Sequence, residues 1–155
     1  ILTFDDGYNN NYTDLYPLLQ KYNVKATIFV IPSSVGGQYS MTAAQIKEMA
    51  DSGLVSIQSN TQDHKELASL SAEQQKQQFA QSQLAIARMT GRIPSVLSYP
   101  SGSYDGNTLS LAPEYFDMAV KSRGGLWTVQ NNFFEIDRYP VYRDTGIRSF
   151  QTFIH

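Results

Sequence analysis

A chain of 155 residues with 41% hydrophobic side chains has enough apolar material for one domain built on a substantial core. Twelve Lys and Arg against fourteen Asp and Glu leave a net charge of −2, with no basic run to track a phosphate backbone, which argues against a nucleic-acid partner. There is no cysteine, so disulfide frameworks and thiolate metal sites are excluded, and any metal must be held by oxygen and imidazole. Zero cysteine suits an extracellular protein. No run approaches the roughly 20 apolar residues of a membrane span, and no charged-then-apolar leader is visible. Ile1 already lies in a strand-like run, so residues 1–155 read as a single domain trimmed at its N-terminus.

Short apolar runs alternate with helical stretches, the pattern of βα units around a mostly parallel sheet or barrel. The first strand is expected over Ile1–Phe4. Thr13–Tyr22 carries Leu15, Leu18 and Leu19 at helical spacing, with Pro17 tolerable near the first turn. "ATIFVI" (26–31) is β-rich and ends at Pro32. Thr42 with Gln45 has capping-box spacing and opens a helix stopped at Gly53, followed by the strand "LVSIQS" (54–59). Ser71 with Gln74 repeats the cap and opens the longest helix, through Phe79, Leu84, Ile86 and Met89 to Gly91. Its glutamines at 74, 75, 77, 78, 81 and 83 read as a solvated face. "SVLSYP" (95–100) is the next strand, and Tyr115–Val120 and Ile136–Tyr142 supply two more strand regions.

Three polar clusters follow apolar strands: Asp5-Asp6-Gly7, then Ser59–His64, then Pro100–Gly106. In barrels and open α/β sheets, chemistry sits at the carboxyl ends of strands, so these clusters can converge on one mouth. Adjacent carboxylates repel, and a bound divalent cation relieves that by ligating one while the other serves as a base. A solvated acid pair before a turn glycine is the simpler alternative.

"TFDDG" with "SNTQDHKEL" resembles the polysaccharide deacetylases with the NodB homology domain, carbohydrate esterase family 4. The family's second motif is Ser-His-Thr-x-x-His-x-x-Leu, and Ser59–Leu67 matches at every fixed position except the first histidine, which is Asn60. "SYPSGSYD" is similar to the third motif. The resemblance implies a distorted (β/α) barrel of about seven parallel strands, whether or not the ring closes within this chain. It also implies that Asp5 is the catalytic base, that Asp6 is a metal ligand, and that Asn60 and His64 complete the metal site. Positions four apart share one face of a helical turn, so a turn at 60–64 would aim both side chains at one ion. Alternation along a strand would part Asp5 from Asp6.

Zinc is the metal the family implies, with cobalt, nickel or manganese as alternatives, because the amide oxygen of Asn60 is a harder and weaker donor than imidazole. The Ser101 N–H takes the place of the family's main-chain oxyanion donor. The motif's arginine has no counterpart at Ser98, and Arg138 in "IDRYPV" is the candidate substitute to orient Asp5. Pro100, Ser101, Gly102 and Tyr104, with Trp127 as a sugar-stacking ring, are the substrate-binding candidates. "FIH" superficially fits the last motif, but its His155 is a weak candidate for the general acid. The activity implied is metal-dependent deacetylation of an N- or O-acetylated polysaccharide, at a bacterial cell surface or outside the cell. The alternative is a carbohydrate-binding domain of the same fold with weakened chemistry.

Overall fold

Five β-rich runs lie side by side in one parallel sheet of order β1-β2-β3-β4-β5 in the computed structural model, which describes residues 1–122, 124–125, 127–128 and 130–153. The strands are β1 (Leu2–Phe4), β2 (Ala26–Val30), β3 (Val55–Ser59), β4 (Val96–Ser98) and β5 (Met118–Val120). The helices are α1 (Tyr16–Tyr22), α2 (Ala43–Asp51), α3 (Ala72–Thr90), α4 (Gly106–Leu111) and α5 (Ile147–Phe153). Among the described residues, no helix is long and apolar enough to cross a membrane.

Registry of Phe4 with Ile28 and of Ile28 with Ile57 stacks apolar side chains on one face of the sheet. There Ile28, Val30 and Ile57 pack with Leu19, Ile46, Met49 and Ile86 of α1, α2 and α3. A second cluster at the β4–β5 end centres on Phe79, which meets Tyr115 and Phe116 at 5.6 Å, edge-on to the latter. β3 and β4 share a single paired position, Ser59 with Leu97. The Gln58 Oε1 compensates by accepting the N–H groups of Ser95 and Val96 at 2.9 and 2.8 Å.

Helix entries follow the local signals. Thr42 and Ser71 each form a capping box with the glutamine three residues on, and α3 ends at Gly91 in the left-handed conformation. Pro17 sits in the first turn of α1, but the expected helix over Thr13–Tyr22 is divided: residues Asn11–Leu15 form a π-helical turn before it.

Three expectations are corrected. Among the described residues the sheet has five strands, not about seven: Tyr115–Val120 pairs only over Met118–Val120, and Ile136–Tyr142 contributes one parallel bridge, Ile136 to Val120. β-branched and aromatic composition gives Ile136–Tyr142 its strand character, but it finds no neighbour to continue the ladder among the described residues. Only half of the α3 glutamines form the solvated face: Gln74, Gln77 and Gln81 are exposed, whereas Gln75 and Gln78 are buried and Gln83 half-buried. Gln75, Gln78 and Gln83 face inward because their amides satisfy main-chain groups of the loops beneath, whereas Leu84, expected on the apolar side, is 53% exposed.

α4 is capped by Asp105, whose Oδ1 accepts the Thr108 N–H at 2.8 Å and the Gln75 amide N–H at 3.3 Å. The Thr108 N–H is the main reason the Asp105 carboxyl is held below its usual range. Asp105→Ala is therefore expected to lower unfolding free energy by about 1 kcal/mol at neutral pH. A depressed carboxyl stabilises above its unfolded pKa of ~3.9, and the contribution disappears as pH falls through the lower folded value. Urea denaturation should show the difference between wild type and variant closing below pH ~4.

Candidate active site

β1 stops at Phe4, and the chain then turns sharply: Asp6 (φ 70°) and Gly7 (φ 69°) both adopt left-handed backbone. A Cβ on Gly7 would meet Val30 Cγ1 at 3.1 Å, so the turn presses against the end of β2. This turn, more than strand alternation, separates the two carboxylates.

Asp5 meets Arg138 in a two-pronged contact, Nη1 to Oδ1 and Nη2 to Oδ2, each 2.9 Å. The guanidinium also donates to Thr3 Oγ1 at 3.1 Å, Ser98 Oγ at 3.1 Å and the Lys121 carbonyl at 2.8 Å. Every one of its N–H donors is thereby used. Its carbon centre lies 5.5 Å from the Phe29 ring, at cation–π distance. The segment carrying Arg138 is held by an ion pair between Lys121 and Asp137 at 3.1 Å. The bond to Asp137 is the chief cause that raises the Lys121 pKa. Gly125 packs closely on this pair, and a Cβ there would lie 2.7 Å from Asp137 Oδ2 and displace that side chain.

Asp6 points to the second cluster. Its Oδ1 accepts the Asn60 amide N–H at 3.0 Å and lies 3.5 Å from His64 Nε2. The helical turn expected at 60–64 is absent. Those residues form a loop with Thr61 (φ 61°) and His64 (φ 55°) in left-handed backbone. Asn60 and His64 reach Asp6 because the loop folds back, not because they share a helix face.

In the third cluster Pro100 is buried and starts a single 3₁₀ turn, while Ser101 is exposed in left-handed backbone (φ 54°). Gly102 (φ 69°) donates its N–H to the Tyr99 carbonyl at 2.9 Å. Tyr104 stacks on Tyr99 at 4.7 Å and donates its hydroxyl to Glu135 at 2.9 Å; burial, then that bond, raises its pKa. Trp127 packs edge-on against Phe133 at 5.0 Å and donates its indole N–H to the Asn132 carbonyl at 3.2 Å, contacts made inside its own loop. His155 lies outside the described residues.

The clusters thus draw together Asp5 with Arg138, and Asp6 with Asn60 and His64. Sequence reading missed Thr3 and Ser98 as acceptors for Arg138, although Thr3 precedes Asp5 by two positions and so shares its face of the strand. It also missed Tyr8, 51% exposed, whose phenol pKa is raised chiefly by the charge of Asp6.

No three His, Cys, Asp or Glu side chains gather as a metal cluster among the described residues, the third position being an amide. The donor set still fits a divalent ion. With bonds of about 2.0–2.2 Å, neighbouring ligands stand about 3 to 3.5 Å apart, the spacing seen around Asp6 Oδ1. The Asn60 side chain is buried, and its Oδ1 has no hydrogen-bond partner among the described residues. Turning the amide over would present that oxygen to an ion.

The family model for polysaccharide deacetylase matches residues 1–115, and the chain belongs to that family. YxkH of Bacillus subtilis is 39% identical over 142 residues, which cover 91% of this chain and 50% of that protein. A peptidoglycan-N-acetylglucosamine deacetylase of Bacillus cereus is 30% identical over 145 residues, 93% of this chain and 48% of that protein. The solved deacetylase PplD of Streptococcus pyogenes, in complex with acetate, superposes with a TM-score of 0.93 at 27% identity, covering 99% of this chain and 69% of that one. The chain spans about half the length of the curated relatives named here.

Removing the guanidinium leaves Asp5, Thr3 and Ser98 without their shared donor. Arg138→Met is expected to cost about 1–3 kcal/mol, toward the lower end because Asp5 is 34% exposed. Equilibrium urea unfolding checks this, and an unchanged midpoint would show that the contact adds nothing to stability.

Proposed function

We propose that this domain removes acetyl groups from an N-acetylated cell-wall or extracellular polysaccharide by hydrolysing the amide bond. The observation that carries the reading is the pairing of an oriented carboxylate, Asp5 held by Arg138, with the Asp6–Asn60–His64 donor set on the adjacent residue. Relatives named as peptidoglycan-N-acetylglucosamine and chitin deacetylases support the substrate class. The absence of cysteine is compatible with work at the cell surface or outside a bacterium.

Asp6, Asn60 and His64 would hold the ion, zinc being the first candidate and cobalt, nickel or manganese the others. When bound, such an ion supplies a Lewis acid that polarises the acetyl carbonyl and acidifies water. Asp5 accepts the proton of the attacking water, with both of its oxygens kept in one plane by the Arg138 fork. The Ser101 N–H, carried on an exposed left-handed residue, donates to the oxyanion of the tetrahedral intermediate, a contact of the type worth about 10²–10³ in rate. As the C–N bond breaks, Asp5 returns its proton to the departing sugar amine, and acetate is released. Gly102, Tyr104 and Trp127 are the residues we assign to the sugar's approach, with the buried Pro100 supporting the loop beneath them.

The Asn60 amide already satisfies Asp6 by hydrogen bonding, which favours the competing reading of a sugar-binding domain with weakened chemistry. Acetate release from N-acetylglucosamine oligomers, measured after chelation and after adding back zinc, cobalt, nickel or manganese, separates the two. Restored release that Asp5→Asn lowers by about 10²–10⁴-fold is expected. If no metal restores release while the oligomers still bind, the sugar-binding reading replaces the enzymatic one. Asn60→His should tighten zinc binding, measured by equilibrium dialysis.

A further inference from the structure

A helix packed on a sheet ordinarily buries aliphatic side chains, yet α3 buries Gln75, Gln78 and Ser82 among Phe79 and Ile86. Burying a primary amide is unfavourable unless its donor and acceptor are both used. Gln78, 6% exposed, uses both on one residue. Its Oε1 accepts the Asp63 main-chain N–H at 2.9 Å, and its Nε2 donates to Asp63 Oδ2 at 2.8 Å.

We infer that Gln78 is a positioning residue that sets the direction of His64 by clamping Asp63 from below; the inference rests on the reading of Asp6, Asn60 and His64 as the ion-holding set. His64 has left-handed backbone, a conformation of about 1–2 kcal/mol cost for a residue with a Cβ, so the surrounding contacts must hold it there. The preceding loop is pinned at three points. Asn60 N–H donates to the Val30 carbonyl at 2.9 Å, and Ser33 N–H to the Gln62 carbonyl at 3.1 Å. Thr61 N–H donates to Ser59 Oγ at 3.1 Å, itself paired with Ser82 of α3 at 2.8 Å. The Gln78 clamp is the anchor immediately before the imidazole. Lys65 touches Asp63 only at 3.6 Å from a largely exposed position, a contact of little energy.

The residue type is specific to the task. Leucine would leave a buried N–H unpaired, glutamate would set one carboxylate against another, and lysine or arginine has no acceptor for the N–H. Of these side chains only the amide offers an acceptor to the main chain and a donor to the carboxylate together. A support of this kind behind a ligand typically governs metal affinity by 10–100-fold.

An exchange of the clamp's chemistry tests the inference. Gln78→Glu opposes two carboxylates. Adding Asp63→Asn restores both contacts, the side-chain one in reversed polarity, because the introduced carboxylate still accepts the main-chain N–H of residue 63 while the new side-chain amide donates to it. Asp63→Asn alone keeps an acceptor for Gln78 and serves as control. Cobalt affinity, measured by equilibrium dialysis on the whole chain, should fall about 10–100-fold in Gln78→Glu and return to within ~3-fold of wild type in the double variant. In parallel, the imidazole ¹⁵N resonances of His64, one of only two histidines, should shift in the single variant and return in the double one, with or without metal.

Unchanged affinity and resonances in folded Gln78→Glu, or loss that the second substitution fails to rescue, overturns the inference. Should Gln78→Glu not fold, Gln78→Met removes both bonds at similar volume and is expected to move the same readouts. If wild type takes up no cobalt, the ion-holding reading fails on its own, and the His64 resonances alone decide whether Gln78 positions the ring.

Discussion

The contact between Arg138 and Asp5 is what the rest of the site depends on. Asp5 follows β1, at one edge of the sheet, whereas Arg138 follows β5, at the other, and the residues are 133 positions apart in the chain. The guanidinium takes acceptors from β1, β4 and the residue after β5, so one side chain ties the two edges of the sheet together. It also resolves the electrostatic problem of adjacent carboxylates. One acid is neutralised by a fixed cation from within the protein, and the other is left to neutral donors and to whatever charge enters beside it.

Backbone strain is concentrated where the chemistry is proposed. Of the described residues other than glycine with positive φ, Asp6, Thr61, His64 and Ser101 lie in the three strand-end loops, and only Asn23, which caps α1, lies elsewhere. Left-handed backbone at such residues persists only where neighbouring contacts over-determine it. Here the restraint comes from tight packing of Gly7 on Val30, hydrogen bonds that Thr61 and Asp63 N–H donate to Ser59 Oγ and Gln78 Oε1, and the buried Pro100 beneath the third loop.

α3 unites these restraints. Gln75 donates to the Leu67 and Leu70 carbonyls after the second cluster and to Asp105 at the end of the third. Gln78 holds Asp63, and Gln83 donates to the carbonyls of Pro94 and Tyr115 near β4 and β5. The helix thus acts as a polar frame under the rim, because loops that carry function cannot bury enough apolar surface to fix themselves.

Much of this was legible from residues acting on near neighbours. Thr42 and Ser71 announce their helices because the orphan N–H groups they satisfy lie three positions away. The βα alternation announces a parallel sheet, and the order Asp5, Asp6, Asn60, His64 carries the family's motif with its one departure. Other features depended on distant partners. Composition along Ile136–Tyr142 could not reveal that no further strand would pair with it among the described residues, nor could the glutamine pattern of α3 reveal which amides would meet buried main-chain groups. The amino-acid order determined which residues are available and what local structure they start or stop. Tertiary structure decided which polar groups are buried and what they touch, because hydrogen bonds across tens of residues form only where packing brings both partners out of water.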